Sequence, residues 1–291
     1  MGTFKIFGSG FLMAGRKARL AIYLWLANFL FSLVLVAPFY FLLQRDLARS
    51  LAGEKLFQGQ DLLWLGDLVY KYQNVLALFF GWLVVPSLFY LVLQVFLNGG
   101  ILGRISVGER VNLAAFLSDS AKYFWRFFRV FLISIIGYVL VFVFIGRGLS
   151  SLFKIWTESA ATQWTTMAAS FLRLFVFLLL FSIVKMFFDY VKVSLVIEEG
   201  KKAIRATLAN FQFLGRRFFR AWGLFLIVGL VFIGLSIGYY LGAKLIPKSG
   251  VIPLVILFVW HQVYILAMSW TTVLFFSTEC EFFKTHKYSP P

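Results

Sequence analysis

The residues able to carry chemistry are few and lie deep in apolar sequence. His261, flanked by Trp260 and Gln262, stands well inside the last long apolar run. A protonatable imidazole there suits a proton or ion path, and the alternative is a neutral histidine hydrogen-bonded to a neighbouring helix. Lys185, Asp189 and Lys192 stand at i, i+4 and i+7, so a helix puts them on one face. They form either a coupled ionic site or a salt bridge near the membrane boundary, where lysine can snorkel. Arg173, toward the other end of the same run, takes the boundary reading. A charge at the bilayer centre costs roughly 2.5 to 3.5 kcal/mol even on the mildest scale, so each such group needs a physical reason to be there.

Catalytic signatures do not accompany these groups. The chain has no HExxH, no GxSxG and no P-loop lysine motif. Two histidines and the single Cys280 give no familiar metal-ligand spacing, and one cysteine builds no disulfide framework. The expectation is a protein that is not an enzyme and uses no cofactor or metal.

The elements that must position these residues follow from composition. Of 291 residues, 61% are apolar and 14% charged, and the mean hydropathy is +0.87. A soluble domain carries about 45–50% apolar and about 25% charged residues, so a water-soluble fold is excluded. Crossing the hydrocarbon takes about 20 apolar residues, and six runs qualify: Leu20 to Leu43, Asn74 to Leu97, Val130 to Ile145, Met167 to Phe188, Ala221 to Ala243 and Val251 to Thr278. The third is short, but Arg129 and Arg147 bound it and can snorkel outward. The first is too long for a signal h-region and has no small-residue cleavage site after it, so it is expected to stay in the chain. The start MGTFKI lacks the Ser or Thr of a myristoylation signal.

The formal net charge of +16 is read first as topology. Lys and Arg concentrate on the side that holds both termini, the segment from Arg104 to Arg129 and the segment from Lys192 to Arg220. On the other side Asp46, Glu54, Asp61 and Asp67 balance the bases of the first loop. Both termini are therefore expected in the cytoplasm of a bacterium, with the protein in the cytoplasmic (inner) membrane. Nucleic acid is excluded as a partner, because the bases track the spans and no binding fold accompanies them.

RFFR occurs twice, at Arg126 to Arg129 and at Arg217 to Arg220, each time opening a span after a charged stretch. Glu109 to Arg129 and Lys201 to Arg220 are both amphipathic at the helical period. In the second, Lys201, Lys202, Arg205, Arg216 and Arg220 oppose Ile204, Leu208, Phe211, Leu214 and Phe218. In the first, Glu109, Asp119, Lys122, Arg126 and Arg129 oppose Leu113, Phe116, Leu117, Tyr123, Phe124 and Phe127. These read as interfacial helices, and Phe4 to Arg19 precedes the first span in a similar way. The expected fold is an all-α integral membrane domain of six transmembrane helices in three hairpins, each preceded by a cytoplasmic amphipathic helix. Its units are residues 1–98, 99–197 and 198–291.

The stretch SLVIEEGKKAIRATLANFQFLGRRFFRAWGLFLI, from Ser194 to Ile227, resembles a recurring V-x-E-x-x-G-x-x-x-A-(L/I)-x-x-(S/T) pattern followed by a basic-aromatic turn into a span. GGILGRISVGERVNLAAFLSDSAKYFWRFFRVFLI, from Gly99 to Ile133, resembles the earlier GE-x-x-x-x-x-x-F segment of the same group. Both are similar to a diffuse superfamily of bacterial six-span proteins. It includes the membrane domain fused to some glycerophosphoryl diester phosphodiesterases and the YciC-like proteins of unknown function. The resemblance implies the six-span fold and no settled activity. The His-Arg-Gly opening and paired acidic motif of the hydrolase domain are missing, so that chemistry does not carry over.

Other signals concern packing and lipid. Gly234, Gly238 and Gly242, spaced four apart, permit close approach to the sixth span or to another protein. Asn28, Gln94 and Asn98 either line a cavity or join helices, and Pro38 and Pro86 are read as kinks. The bases Lys122, Arg126, Arg129, Lys201, Lys202, Arg205, Arg216, Arg217 and Arg220 are candidate contacts for anionic lipid headgroups. Asp61 to Tyr72 reads as a short interfacial helix on the outer side. The function expected from all this is a non-catalytic structural or accessory subunit of a membrane complex. Its expected partners are membrane lipids and other membrane subunits or further copies of itself. The alternative is a lipid or small-solute permease.

Overall fold

The computed structural model describes residues 2–47, 70, 73–108, 111–148, 151, 163–199, 202–247 and 250–288. Among them the chain is helical and contains no strand. The helices are α1 (Thr3–Arg16), α2 (Arg19–Leu47), α3 (Gln73–Val107), α4 (Leu113–Leu140), α5 (Gln163–Ile197), α6 (Ala203–Gly215), α7 (Phe218–Leu245) and α8 (Val251–Tyr288). A wide π turn, Val141–Ile145, continues α4. Six helices are long and apolar enough to cross a membrane, which makes this a multi-pass membrane protein. Asp61 to Tyr72, apart from Tyr70, and Lys201 lie outside the described residues.

Helix boundaries follow local chemistry. Asn112 caps α4, its Oδ1 accepting from the Ala115 amide at 2.7 Å. Gly108, at φ +78°, ends α3 in a conformation that other L-residues rarely adopt. α1 breaks from α2 just after Gly15 and Arg16, and α6 breaks from α7 just after Gly215 and Arg216. α4 has no such break: the basic-aromatic stretch and the span that follows are one continuous helix, not an interfacial helix joined to a span. The reason lies in the register set by the two RFFR copies, which puts Phe124 where Gly215 stands in the later copy. Glycine weakens a helix by about 1 kcal/mol relative to a good helix former, and Phe124 carries no such penalty. α3 continues through Pro86.

α3, α5 and α8 have 35, 35 and 38 residues. At 1.5 Å per residue each is more than about 50 Å long, against about 30 Å of hydrocarbon. The shorter helices pack on the basic ends of these long ones. α1 lies on α8, the first half of α4 on α3, and α6 on α5. A small residue or a polar pair marks each crossing. A Cβ on Gly10 would come within 2.5 Å of the Thr278 side chain, and one on Gly100 within 2.6 Å of the Phe116 ring. Arg104 Nε donates to Asp119 Oδ2 at 2.5 Å, Asn210 Nδ2 to Ser194 Oγ at 2.7 Å, and Ser9 Oγ to Glu281 Oε2 at 3.4 Å.

Among the described residues the buried core cluster lies at this end. It contains Leu20 and Leu24 of α2, Ile101 and Ile105 of α3, Phe127 and Val130 of α4, and Tyr190 and Leu195 of α5. Leu224 and Val228 of α7 and Leu274, Phe282 and Phe283 of α8 complete it. Toward the opposite end many described side chains face outward, among them Val85, Phe89, Ile136, Phe171, Ile237 and Val255, although Ala169 is buried.

Candidate functional site

Where α5 crosses α8, the core encloses charge. Asp189 is 3% exposed. It accepts from Lys185 Nζ at 2.7 Å on one carboxylate oxygen and from Lys192 Nζ at 2.8 Å on the other. The helical spacing thus brings the three together as read from sequence, with the Asp189 carboxylate buried between helices. Rings of neighbouring helices face the ammoniums: Lys185 lies 5.1 Å from the Phe225 centroid and 4.7 Å from that of Phe275, and Lys192 lies 6.0 Å from that of Phe276. Lys185 remains 44% exposed along its side chain.

Glu279 of α8 shares this electrostatic environment with Asp189 and both lysines. It is 2% exposed, and neither carboxylate oxygen has a hydrogen-bond partner among the described residues. The Tyr190 hydroxyl nearby is buried and unpartnered in the same sense. Two acids and two ammoniums balance formally, yet Asp189 takes both hydrogen bonds. Sequence reading missed Glu279 because the last apolar run was closed at Thr278, one residue too soon. The signal was present: Phe275, Phe276, Phe282 and Phe283 continue the helical period across the charge.

His261 and Gln262 belong elsewhere. His261 Nδ1 lies 3.1 Å from the Tyr239 hydroxyl on α7, and Gln262 Oε1 accepts from Trp25 Nε1 on α2 at 3.1 Å. The distance along α8 from His261 to Glu279 is roughly 27 Å at 1.5 Å per residue, so the two are not one constellation. Asn28 Oδ1 accepts from Gln94 Nε2 at 2.8 Å and from the Tyr90 hydroxyl at 3.3 Å, joining α2 to α3. Of the spaced glycines, only Gly242 is closely approached, by the Trp260 indole at 2.5 Å from an added Cβ. At Gly234 and Gly238 an added Cβ meets nothing within 4 Å. The tight glycine seam is instead Gly99, Gly100 and Gly103, which sequence reading passed over although NGGILG shows the spacing.

The basic helices have three faces where two were expected. On α6, Ala203, Ala206, Asn210 and Leu214 are buried, so Leu214 does not share the outward apolar stripe of Ile204, Leu208 and Phe211. Lys202, Arg205, Arg216 and Arg220 are exposed, Arg217 is half-buried and lies over the Phe213 ring at 5.2 Å, and Arg129 is exposed. On α4, Phe116, Tyr123 and Phe127 are buried, while Leu113, Leu117 and Trp125 are exposed. Lys122 Nζ donates to Glu199 Oε1 at 2.6 Å and the Tyr123 hydroxyl donates to the same oxygen at 3.0 Å. The Lys122 hydrogen bond holds the Glu199 carboxyl below its ordinary value. The half-buried Arg126 contributes to the same field.

Several openings stand among the described elements. One of about 750 Å³ lies between α1 and the end of α3. One of about 320 Å³ lies among α5, α6 and α8, beside Arg216, Arg217, His286 and Lys287; Lys287 pairs there with Glu198. A third, about 510 Å³ and wholly apolar, lies among α4, α5 and α6. Among the described residues no group of three His, Cys, Asp or Glu side chains could hold a metal ion. The fold and its charged end define a helical multi-pass membrane protein with a polar, cross-linked end. No family model matches the chain, nor does any curated protein or solved structure.

Proposed function

We propose that the protein is a non-catalytic six-span subunit of a membrane complex in a bacterial cytoplasmic membrane, structural or accessory in role, with its basic end and both termini in the cytoplasm. In this reading the spans form three hairpins related by a repeated unit, and the chain is kin to the six-span superfamily whose motifs it carries. The observation that carries it is uneven packing. The helices are knit together at the basic end by buried side chains and polar pairs, while Val85, Phe89, Ile136, Phe171, Ile237 and Val255 face outward toward the other end. Such faces suit the spans of a partner subunit or a second copy, which pack by van der Waals contact. The exposed stripe Ile204, Leu208 and Phe211 beside Lys202 and Arg205 suits a helix lying on an anionic leaflet. Gentle extraction followed by native mass spectrometry tests this: a stoichiometric protein partner or a defined homo-oligomer supports it, and a functional monomer refutes it.

A second reading is favoured by one observation, the Asp189, Lys185, Lys192 and Glu279 cluster. Ionisable groups inside spans are the usual markers of transport paths. As a permease component the protein would lose solute or lipid flux in proteoliposomes on Glu279→Gln, with folding preserved. Unchanged flux would remove this reading.

A further inference from the structure

The wholly apolar opening of about 510 Å³ is walled by α4 and α5 and bounded at the basic end by α6 and the first turn of α7. Ile133 and Val184 line it from the two walls, and Phe211 and Phe218 from the other two helices. The Phe187 ring meets that of Phe211 at 4.5 Å between centroids, which holds α6 over α5. An added Cβ on Gly137 would come within 2.9 Å of the Phe188 ring, so α4 and α5 close on each other there. Thr207 is the one lining residue with a polar side chain, and its hydroxyl donates to the Ala203 carbonyl at 2.9 Å. The lining thus offers a ligand no hydrogen bond, and a polar group entering it would go unsatisfied.

Both walls belong to membrane-spanning helices, so the occupant is hydrocarbon from the bilayer or from another protein. A helix measures about 10–12 Å across with its side chains, so even about 10 Å of its length displaces roughly 800 Å³. The opening is smaller than that, and α6 bars the way past the basic end. A single acyl chain is thin and flexible enough to follow it. The bases beside the opening indicate what head such a chain carries. Arg129 stands one turn before Ile133 on the same face of α4, and Arg216 follows Gly215, which lines the opening. Both arginines are exposed.

We propose that this groove is a specific site for one acyl chain of an anionic phospholipid, with Arg129 and Arg216 holding its phosphate at the rim. Guanidinium forks pair with phosphate oxygens in two-point contacts, and the phospholipid joins that anion to the hydrocarbon the groove accepts. The proposal goes beyond the subunit reading: it rests on the basic end facing a leaflet and is independent of any protein partner.

The test uses the full chain alone, reconstituted in vesicles of equal phosphatidylglycerol and phosphatidylcholine. Both leaflets then carry the same lipids, and the direction of insertion does not matter. A trace of phosphatidylglycerol or of phosphatidylcholine, each with a photoactivatable diazirine in the upper part of one acyl chain, is irradiated and the labelled peptides are sequenced. Phosphatidylglycerol should label the groove around Ile133, Val184 and Phe211 several-fold above exposed span positions such as Phe171 and Val255. Arg129→Gln with Arg216→Gln should lower that groove labelling roughly 30-fold, from about fivefold per base near an anionic surface. Thr207→Phe or Ile133→Trp should fill the groove and exclude both probes from it, while Gly234→Leu, where an added Cβ meets nothing within 4 Å, should leave its labelling unchanged. The wild-type map needs no variant to fold. Phosphatidylglycerol labelling spread evenly over the groove, Phe171 and Val255, or groove labelling that is equal for the two lipids and unmoved by the arginine pair, overturns the proposal and leaves the subunit reading untouched.

Discussion

Asp189→Asn is the perturbation with the largest consequence for the buried end. The carboxylate is shared between two ammoniums at 2.7 and 2.8 Å, and its own exposure is 3%. Removing one member of a buried ion pair costs about 3–5 kcal/mol, because the other charge is left uncompensated. Two features pull toward the lower end: Lys185 is 44% exposed along its side chain and can swing outward, and Glu279 is near enough to take up part of the load. About 3 kcal/mol is therefore expected. The assay is reversible unfolding of the purified protein in mixed micelles, followed by tryptophan fluorescence. A double-mutant cycle with Lys192→Met should return a coupling of more than about 1 kcal/mol, as for residues within one ionic network. Asp189→Asn within about 0.5 kcal/mol of wild type, or strict additivity with Lys192→Met, would refute the reasoning that this cluster holds α5 in place.

Three further outcomes follow from the same geometry. Gly100→Leu should destabilise by about 1–3 kcal/mol or abolish folding, since its Cβ alone comes within 2.6 Å of the Phe116 ring; Gly234→Ala, with nothing within 4 Å, should stay within about 0.5 kcal/mol in the same unfolding assay. The Glu199 carboxyl is held below its ordinary value of 4.5, chiefly by the Lys122 hydrogen bond. Its stabilising contribution is thus fully present above that ordinary value and is lost as pH falls through the lowered one. Glu199→Gln should flatten that part of an acid melting profile, and identical profiles would contradict the contact. Cys280 is wholly buried, so a water-soluble maleimide should leave it unmodified in the folded protein and label it after unfolding; rapid labelling of the native state would show that the end of α8 is not packed as described.

The six spans were legible because uncharged apolar runs of that length have few other physical solutions. The Lys185, Asp189 and Lys192 face was legible for the same kind of reason, as helical spacing alone puts the three side by side. Glu279 was not, because a charge inside a hydropathy window looks like the end of a span whether or not tertiary packing buries it. The continuity of α4 could have been read from Phe124 standing where its counterpart has Gly215, but only once the repeats were aligned residue by residue. The tight seam within the chain at Gly99, Gly100 and Gly103 went unread for a different reason. Regular spacing, as at Gly234, Gly238 and Gly242, states that close approach is permitted, and only the partner helix decides whether it occurs. At Gly100 the partner is Phe116, on the very next helix.

The central claim is that the apolar halves of the spans are completed by another protein while the basic end holds the leaflet. The most direct measurement is native mass spectrometry of the protein drawn gently from its own membrane, with bound proteins and lipids identified together. The account predicts a stoichiometric protein partner, or a defined homo-oligomer, carrying selected anionic lipid. A lone chain that is functional and retains no anionic lipid would contradict it.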